Sequence, residues 1–177
     1  MNSKNIKGAD EMQAALQKAI NYINNDVPLV IGTLAVRHFK EAFRLGGLAG
    51  NKWKDRKMPR TGSTNNQGVL ILSGDLMESI DYRVDGTTVT IYSDLLYAEI
   101  HNEGGTITVT PKMKKFFWAK HYEMKEAGNL DLAELYKRCA ISKQIVIPER
   151  RFIGPDPALD DKIVDKITRD LDAIFNS

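Results

Sequence analysis

An Asp-Gly pair flanked by alternating apolar residues narrows the fold of this chain more than any other feature. Ile80, Tyr82 and Val84 precede Asp85-Gly86, and Val89 and Ile91 follow it. That pattern is the strongest short-range signal for a β-hairpin. A two-residue turn at Asp85-Gly86 sets Val84 opposite Thr87, Tyr82 opposite Val89 and Ile80 opposite Ile91. All six then lie on one face, apolar apart from Thr87, and a slip of one residue would turn the whole set to water. An antiparallel sheet with one buried face is therefore expected, and helices must cover that face.

Helices are legible on both sides of the hairpin. Met12, Leu16, Ala19, Ile20 and Ile23 recur at spacings of three and four, with Asp10 as N-cap and Gln13 placed to complete a capping box. Asn24-Asn25-Asp26 interrupts this pattern, and Pro28 suits the first turn of a second helix ending near Leu45 before Gly46-Gly47. Val27 to Val36 is apolar nearly all round and should be deeply buried. Ser73 or Asp75 suits the cap of a short helix with Leu76, Met77 and Ile80, and Asp94 the cap of another from Leu95 to His101, closed by Gly104-Gly105. Strands are expected over 106–110 and 145–147, and between them residues 112–143 read as two helices separated by Gly128-Asn129. The last helix has the clearest signal: Asp156 as cap, Pro157 in the first position, then Leu159, Ile163, Ile167, Leu171 and Ile174 in one stripe. The expected fold class is α+β, with an antiparallel sheet of about four strands, two N-terminal helices, inserted helices and a C-terminal helix packed on it.

Length and composition bound the function. A chain of 177 residues suits a single domain over 1–177. Its 25 basic and 23 acidic residues leave a formal net charge of +2, too little for a whole-molecule field that draws it to nucleic acid or membrane. No apolar run approaches the ~20 residues of a membrane span, and Met1 to Lys7 has no signal-peptide core. With one cysteine, Cys139, no internal disulfide can form. A soluble cytosolic protein is expected on these grounds.

Few residues suggest chemistry. His38, His101 and His121 fall in three separate elements, and none of the common hydrolase, metalloprotease or phosphate-loop motifs occurs. His101-Asn102-Glu103 matches half of a zinc deaminase signature whose second half needs two further cysteines. His38 and Glu41 could share a helical face as metal ligands, but no third ligand accompanies them. Cys139 lies on an apolar stripe and reads as a small core residue. No catalytic, cofactor or metal site is expected.

From Gly46 to Gly68 periodicity vanishes. Lys52, Lys54, Arg56, Lys57 and Arg60 surround Trp53 with only Asp55 to offset them, and a polar Thr61–Gly68 run follows. A basic loop this long tends to be functional or disordered, and residues 46–68 are expected to be mobile. Basic charge with an aromatic also permits a small nucleic-acid-binding accessory domain using residues 52–60. A second basic group, Lys112, Lys114, Lys115 and Lys120, lies beside Phe116, Phe117 and Trp118, which read as core or subunit-interface anchors.

Three segments in order carry a family resemblance. Leu72 to Ile80 resembles an "L-x-S-G-x-L-x-x-S-I" segment, Tyr97 to Ile107 a "Y-A-x-I-H-x-x-G-G-x-I" segment, and Ile147 to Gly154 an "I-P-x-R-x-F-(aliphatic)-G" segment. Together they resemble the phage virion morphogenesis or tail-completion proteins of Mu-like phages and related prophages. The resemblance covers about Leu70 to Phe175, with an apparent insertion over 112–143. It departs from the pattern at Arg151, where a second proline is usual, and at Glu103, where an aromatic is usual. The resemblance implies a non-enzymatic structural protein of the head–tail junction, assembled in the bacterial host cytoplasm and carried in the virion. It implies a homo-oligomeric ring, head–tail connector and tail-tube proteins as partners, and duplex DNA passing through. Docking residues are then expected in Ile147 to Gly154 (Arg150, Arg151 and Phe152) and in the basic loop (Trp53, Lys54 and Arg56).

Overall fold

The computed structural model describes residues 3–56, 68–71 and 73–176, with side chains from Gly8 onward. The chain is α+β and divides into two compact units. One holds Met1–Lys52, Leu70–Leu95 and Phe152–Ser177; the other holds Trp53–Val69 and Leu96–Arg151.

In the first unit, helix α1 (Ser3–Asn21) leads through a π-helical turn, Tyr22–Asp26, into α2 (Val27–Leu45). The helix begins before Asp10, which therefore lies inside it rather than at its cap. Asn24-Asn25-Asp26 does not break the helix either; it widens one turn. Tyr22 opens that turn and donates its phenol to Asp170 at 2.5 Å. Burial, then the Asp170 carboxylate, pushes the phenol pKa up to about 12. Pro28, Gly32, Ala35, Phe39, Ala42 and Phe43 form the buried stripe of α2. The expected stripe of α1 is only partly covered: Ala19 is buried, while Met12, Leu16, Ile20 and Ile23 stay about half exposed.

The expected hairpin forms from β3 (Ile80–Asp85) and β4 (Thr88–Ser93), packed on α2. Its register differs from the sequence reading by two residues. Val84 faces Val89, Tyr82 faces Ile91 and Ile80 faces Ser93. The turn is Gly86-Thr87, with glycine at φ +58 as its first central residue, where a positive φ is needed. A slip of two leaves each side chain on its original face, but Val84, near the turn, is exposed and only Ile80 is fully buried. A short helix, α3 (Asp75–Glu78), precedes the hairpin, and Ser73 Oγ accepts the Asp75 N–H at 3.4 Å.

The stretch expected to be a mobile loop starts as ordered chain. Strands β1 (Gly47–Leu48) and β2 (Asn51–Lys52) form a tight hairpin through Ala49 at φ +51 and Gly50 at φ +76. The expectation for residues 57–67 lies outside the described residues. Helix α7 (Pro157–Phe175) closes this unit against α1 and α2, starting as expected at Asp156, whose carboxylate accepts the Ala158 N–H at 3.0 Å.

In the second unit, α4 (Ala98–Glu103) leads into β5 (Gly105–Thr108), which pairs antiparallel with β6 (Gln144–Ile147). The helix starts at Ala98, so Asp94 is not its cap. Between the strands stand α5 (Pro111–Glu126) and α6 (Leu130–Ile141), the helices expected over 112–143. Thr110 Oγ1 caps the first and Asn129 Oδ1 the second, each accepting a backbone N–H at 3.2 Å. Phe117, Tyr136, Ala140 and Val109 form the local core, with Trp118 and Cys139 packed against it, whereas Phe116 is exposed. Burial pushes the Cys139 thiol pKa up. The four expected strands do not make one sheet. The described residues hold three two-stranded ladders, because α4 intervenes after β4 and β5 finds its partner across the α5–α6 hairpin. No helix among the described residues is long and apolar enough to cross a membrane.

Candidate docking surface

The third motif segment continues past β6 without regular secondary structure, and burial alternates along it. Arg150 is 6% exposed, Arg151 is solvent-exposed and Phe152 is 1% exposed. In the first unit Phe152 packs on Phe43, with ring centroids 5.2 Å apart. Arg150 turns into the second unit and binds carbonyls. Its Nε donates to Lys54 O at 3.0 Å and its Nη2 to Asp55 O at 3.4 Å. Burial lowers its pKa most, the neighbouring Arg56 lowers it further, and Asp55 works against both. Trp53 makes the reciprocal connection: its indole is 8% exposed, and Nε1–H donates to Arg151 O at 2.8 Å. Three side chain–backbone hydrogen bonds thus fasten residues 53–55 to Arg150-Arg151.

The second motif segment supports the same stretch. The Arg150 N–H donates to His101 O at 2.9 Å. Gly104 sits at φ +72, and a Cβ there would fall 2.7 Å from the Glu149 nitrogen. Glycine is required by both backbone conformation and space. His101 packs its ring edge-on to Tyr97, centroids 6.0 Å apart, and its Nδ1 is buried without a hydrogen-bond partner among the described residues. Burial, then the Arg150 charge, lowers the His101 pKa and favours the neutral ring. Both departures from the family pattern meet here: Arg151 Nη2 lies 3.7 Å from Glu103 Oε2, and 3.1 Å from Glu149 Oε1.

Of the six residues expected to dock, Lys54 and Arg151 are exposed, Arg56 is half-buried, and Trp53, Arg150 and Phe152 are interior. The indole of Trp53 faces inward and offers no face on which a base could stack. Sequence reasoning grouped Arg150, Arg151 and Phe152 as one patch; the structure buries the first and third and exposes the second.

A polar cluster that sequence reasoning did not find links α2, the β1–β2 turn and the start of α7 in the first unit. Asp156 is 5% exposed; its Oδ2 receives His38 Nε2 at 2.7 Å and the Ala49 N–H at 3.2 Å. Burial alone would raise the Asp156 pKa, but hydrogen bonds from His38, Ala158 and Ala49 outweigh it and hold the carboxyl below its usual range. Lys162 Nζ lies 3.2 Å from His38 Nδ1. Both ring nitrogens of His38 are engaged, which leaves none for a metal shared with Glu41. No group of three or more metal-binding side chains occurs among the described residues.

A family model for the phage virion morphogenesis family matches residues 8–172. The chain belongs to that family. The match extends upstream of the three motif segments to include most of α1 and all of α2. No curated protein and no solved structure matches the chain. Membership assigns this phage virion morphogenesis protein to the assembly of the virus particle.

Proposed function

We propose that this virion morphogenesis protein is a non-enzymatic building block of the head–tail junction. It completes the tail and joins it to the capsid as one subunit of a ring. It is made in the host cytoplasm and remains in the particle, with head–tail connector and tail-tube proteins as neighbours and duplex DNA passing through the ring. The observation that supports this reading most is the braced segment Glu149–Arg151. Arg150 and Trp53 anchor it from within, so Arg151 and Lys54 are held outward on a backbone that is already ordered. A pre-ordered surface loses less conformational freedom on docking than a flexible one. In this reading Arg151 and Lys54 make the contact, while Arg150, Trp53, Arg56 and Phe152 shape the ground on which they stand.

Deletion of the gene from a phage or inducible prophage tests the proposal. Electron micrographs should contain filled heads and separate tails. Normally coupled, infectious particles would overturn it.

A further inference from the structure

A groove of about 500 Å³ runs between α2 and α7 in the first unit. Leu29, Val30 and Leu34 give it an apolar floor, and Arg37, Lys162, Lys166 and Arg169 line it against a single carboxylate, Asp165. Arg37 is exposed and has no hydrogen-bond or ion-pair partner among the described residues. Arg169 donates Nε–H to the backbone of Asp165, which leaves its terminal nitrogens available. An occupant must therefore bring an apolar body and at least one carboxylate. Duplex DNA is a poorer match: its phosphates would meet the cations but leave the apolar side chains of Leu29, Val30 and Leu34 uncovered.

The chain itself displays a segment of the required chemistry. Leu96 is 101% exposed, a fully solvated leucine, and Tyr97 beside it is 43% exposed. Glu99, on the first turn of α4, is also exposed. We infer that Leu96 and Tyr97 of one copy seat in the α2–α7 groove of the next, with Glu99 meeting Arg37 or Arg169. The contact joins two different patches, so it repeats from subunit to subunit and closes into a ring when the rotation permits. This inference rests on the building-block reading above and supplies its subunit contact.

Cysteine pairing tests it, in the full chain with Cys139→Ala. Leu96→Cys and Thr33→Cys, a groove position, are made as separate proteins, each checked for folding by circular dichroism. Oxidation of the mixture should give a disulfide-linked heterodimer that neither protein forms alone. Leu96→Asp, at a fully solvated site, should abolish self-association in sedimentation, and Arg37→Glu should be rescued by Glu99→Arg. Self-association that persists in Leu96→Asp with no cross-link in the mixture overturns this contact and leaves the building-block reading standing. A chain that stays monomeric in solution and in particles overturns both. Salt-dependent DNA binding lost in Arg37→Glu, without self-association, overturns the inference in favour of nucleic acid.

Discussion

Arg150 and Trp53 hold each other's neighbourhoods in place through reciprocal hydrogen bonds to backbone. The guanidinium of Arg150 binds the carbonyls of Lys54 and Asp55, and the indole of Trp53 binds the carbonyl of Arg151. Each side chain satisfies acceptors in the segment that carries the other, so the two segments brace one another. Arg150 is thus a structural cation, and its neighbour Arg151 is the exposed cation of the motif.

Arg150→Ala should lower stability by about 2–4 kcal/mol, because hydrogen bonds from a charged donor contribute roughly 1.5–3 kcal/mol each and two part-buried bonds to carbonyls are lost. Arg150→Lys should recover only part of this, since an ammonium cannot reproduce the fork that reaches two carbonyls. Urea denaturation measures both. Limited proteolysis near Lys54 should accelerate in the alanine variant.

Arg151→Glu should behave differently. Its pairs with Glu149 and Glu103 are solvent-exposed, so the stability change should stay below about 1 kcal/mol. Particle yield should nevertheless fall. Exchanging the charges, with Glu103→Arg added, should restore stability without restoring yield if the docking partner reads Arg151 itself.

Asp156→Asn should cost about 1–2 kcal/mol at neutral pH through the weakened cap and the lost His38 contact. The folded-state pKa of Asp156 lies below its unfolded value, near 3.9 for a free aspartate. Its contribution is therefore complete above that value and disappears as pH falls through the folded-state pKa. Thermal unfolding of both proteins should differ clearly at pH 7 and converge in strong acid. A constant difference across that range would contradict the assignment.

Gly104→Ala should destabilise by several kcal/mol, because φ +72 strains any L-residue and the new methyl meets the Glu149 backbone, which cannot swing aside. Gly128→Ala is the control. It shares a positive φ of 74° but opens onto free space, so about 1 kcal/mol is expected. Chemical denaturation distinguishes the two.

Local signals were legible in the sequence, and long-range ones were not. Helix α7 announced itself through Asp156, Pro157 and an unbroken stripe, all within one segment. The β3–β4 hairpin was legible to within two residues, since Asp85-Gly86 and Gly86-Thr87 are both plausible turns and both preserve the faces. The single four-stranded sheet failed because strand partnership is set by packing between distant segments. The inward turn of Trp53 depends on a residue almost one hundred positions away. His38 was legible only beside Glu41 on its own helix for the same reason: its partner, Asp156, lies 118 positions away and was already accounted for as a cap.

The widened turn at Tyr22–Asp26 sets the rotational phase of the helices on either side of it. An α-helix advances about 100° per residue, so one inserted residue turns everything upstream by roughly that angle. Removing a single asparagine there would restore a regular spiral and swing Ala19 out of its seat. The same rotation would carry Met12, Leu16 and Ile20 to a different side of the molecule. That one turn decides which of its apolar side chains the first helix shows to the surroundings.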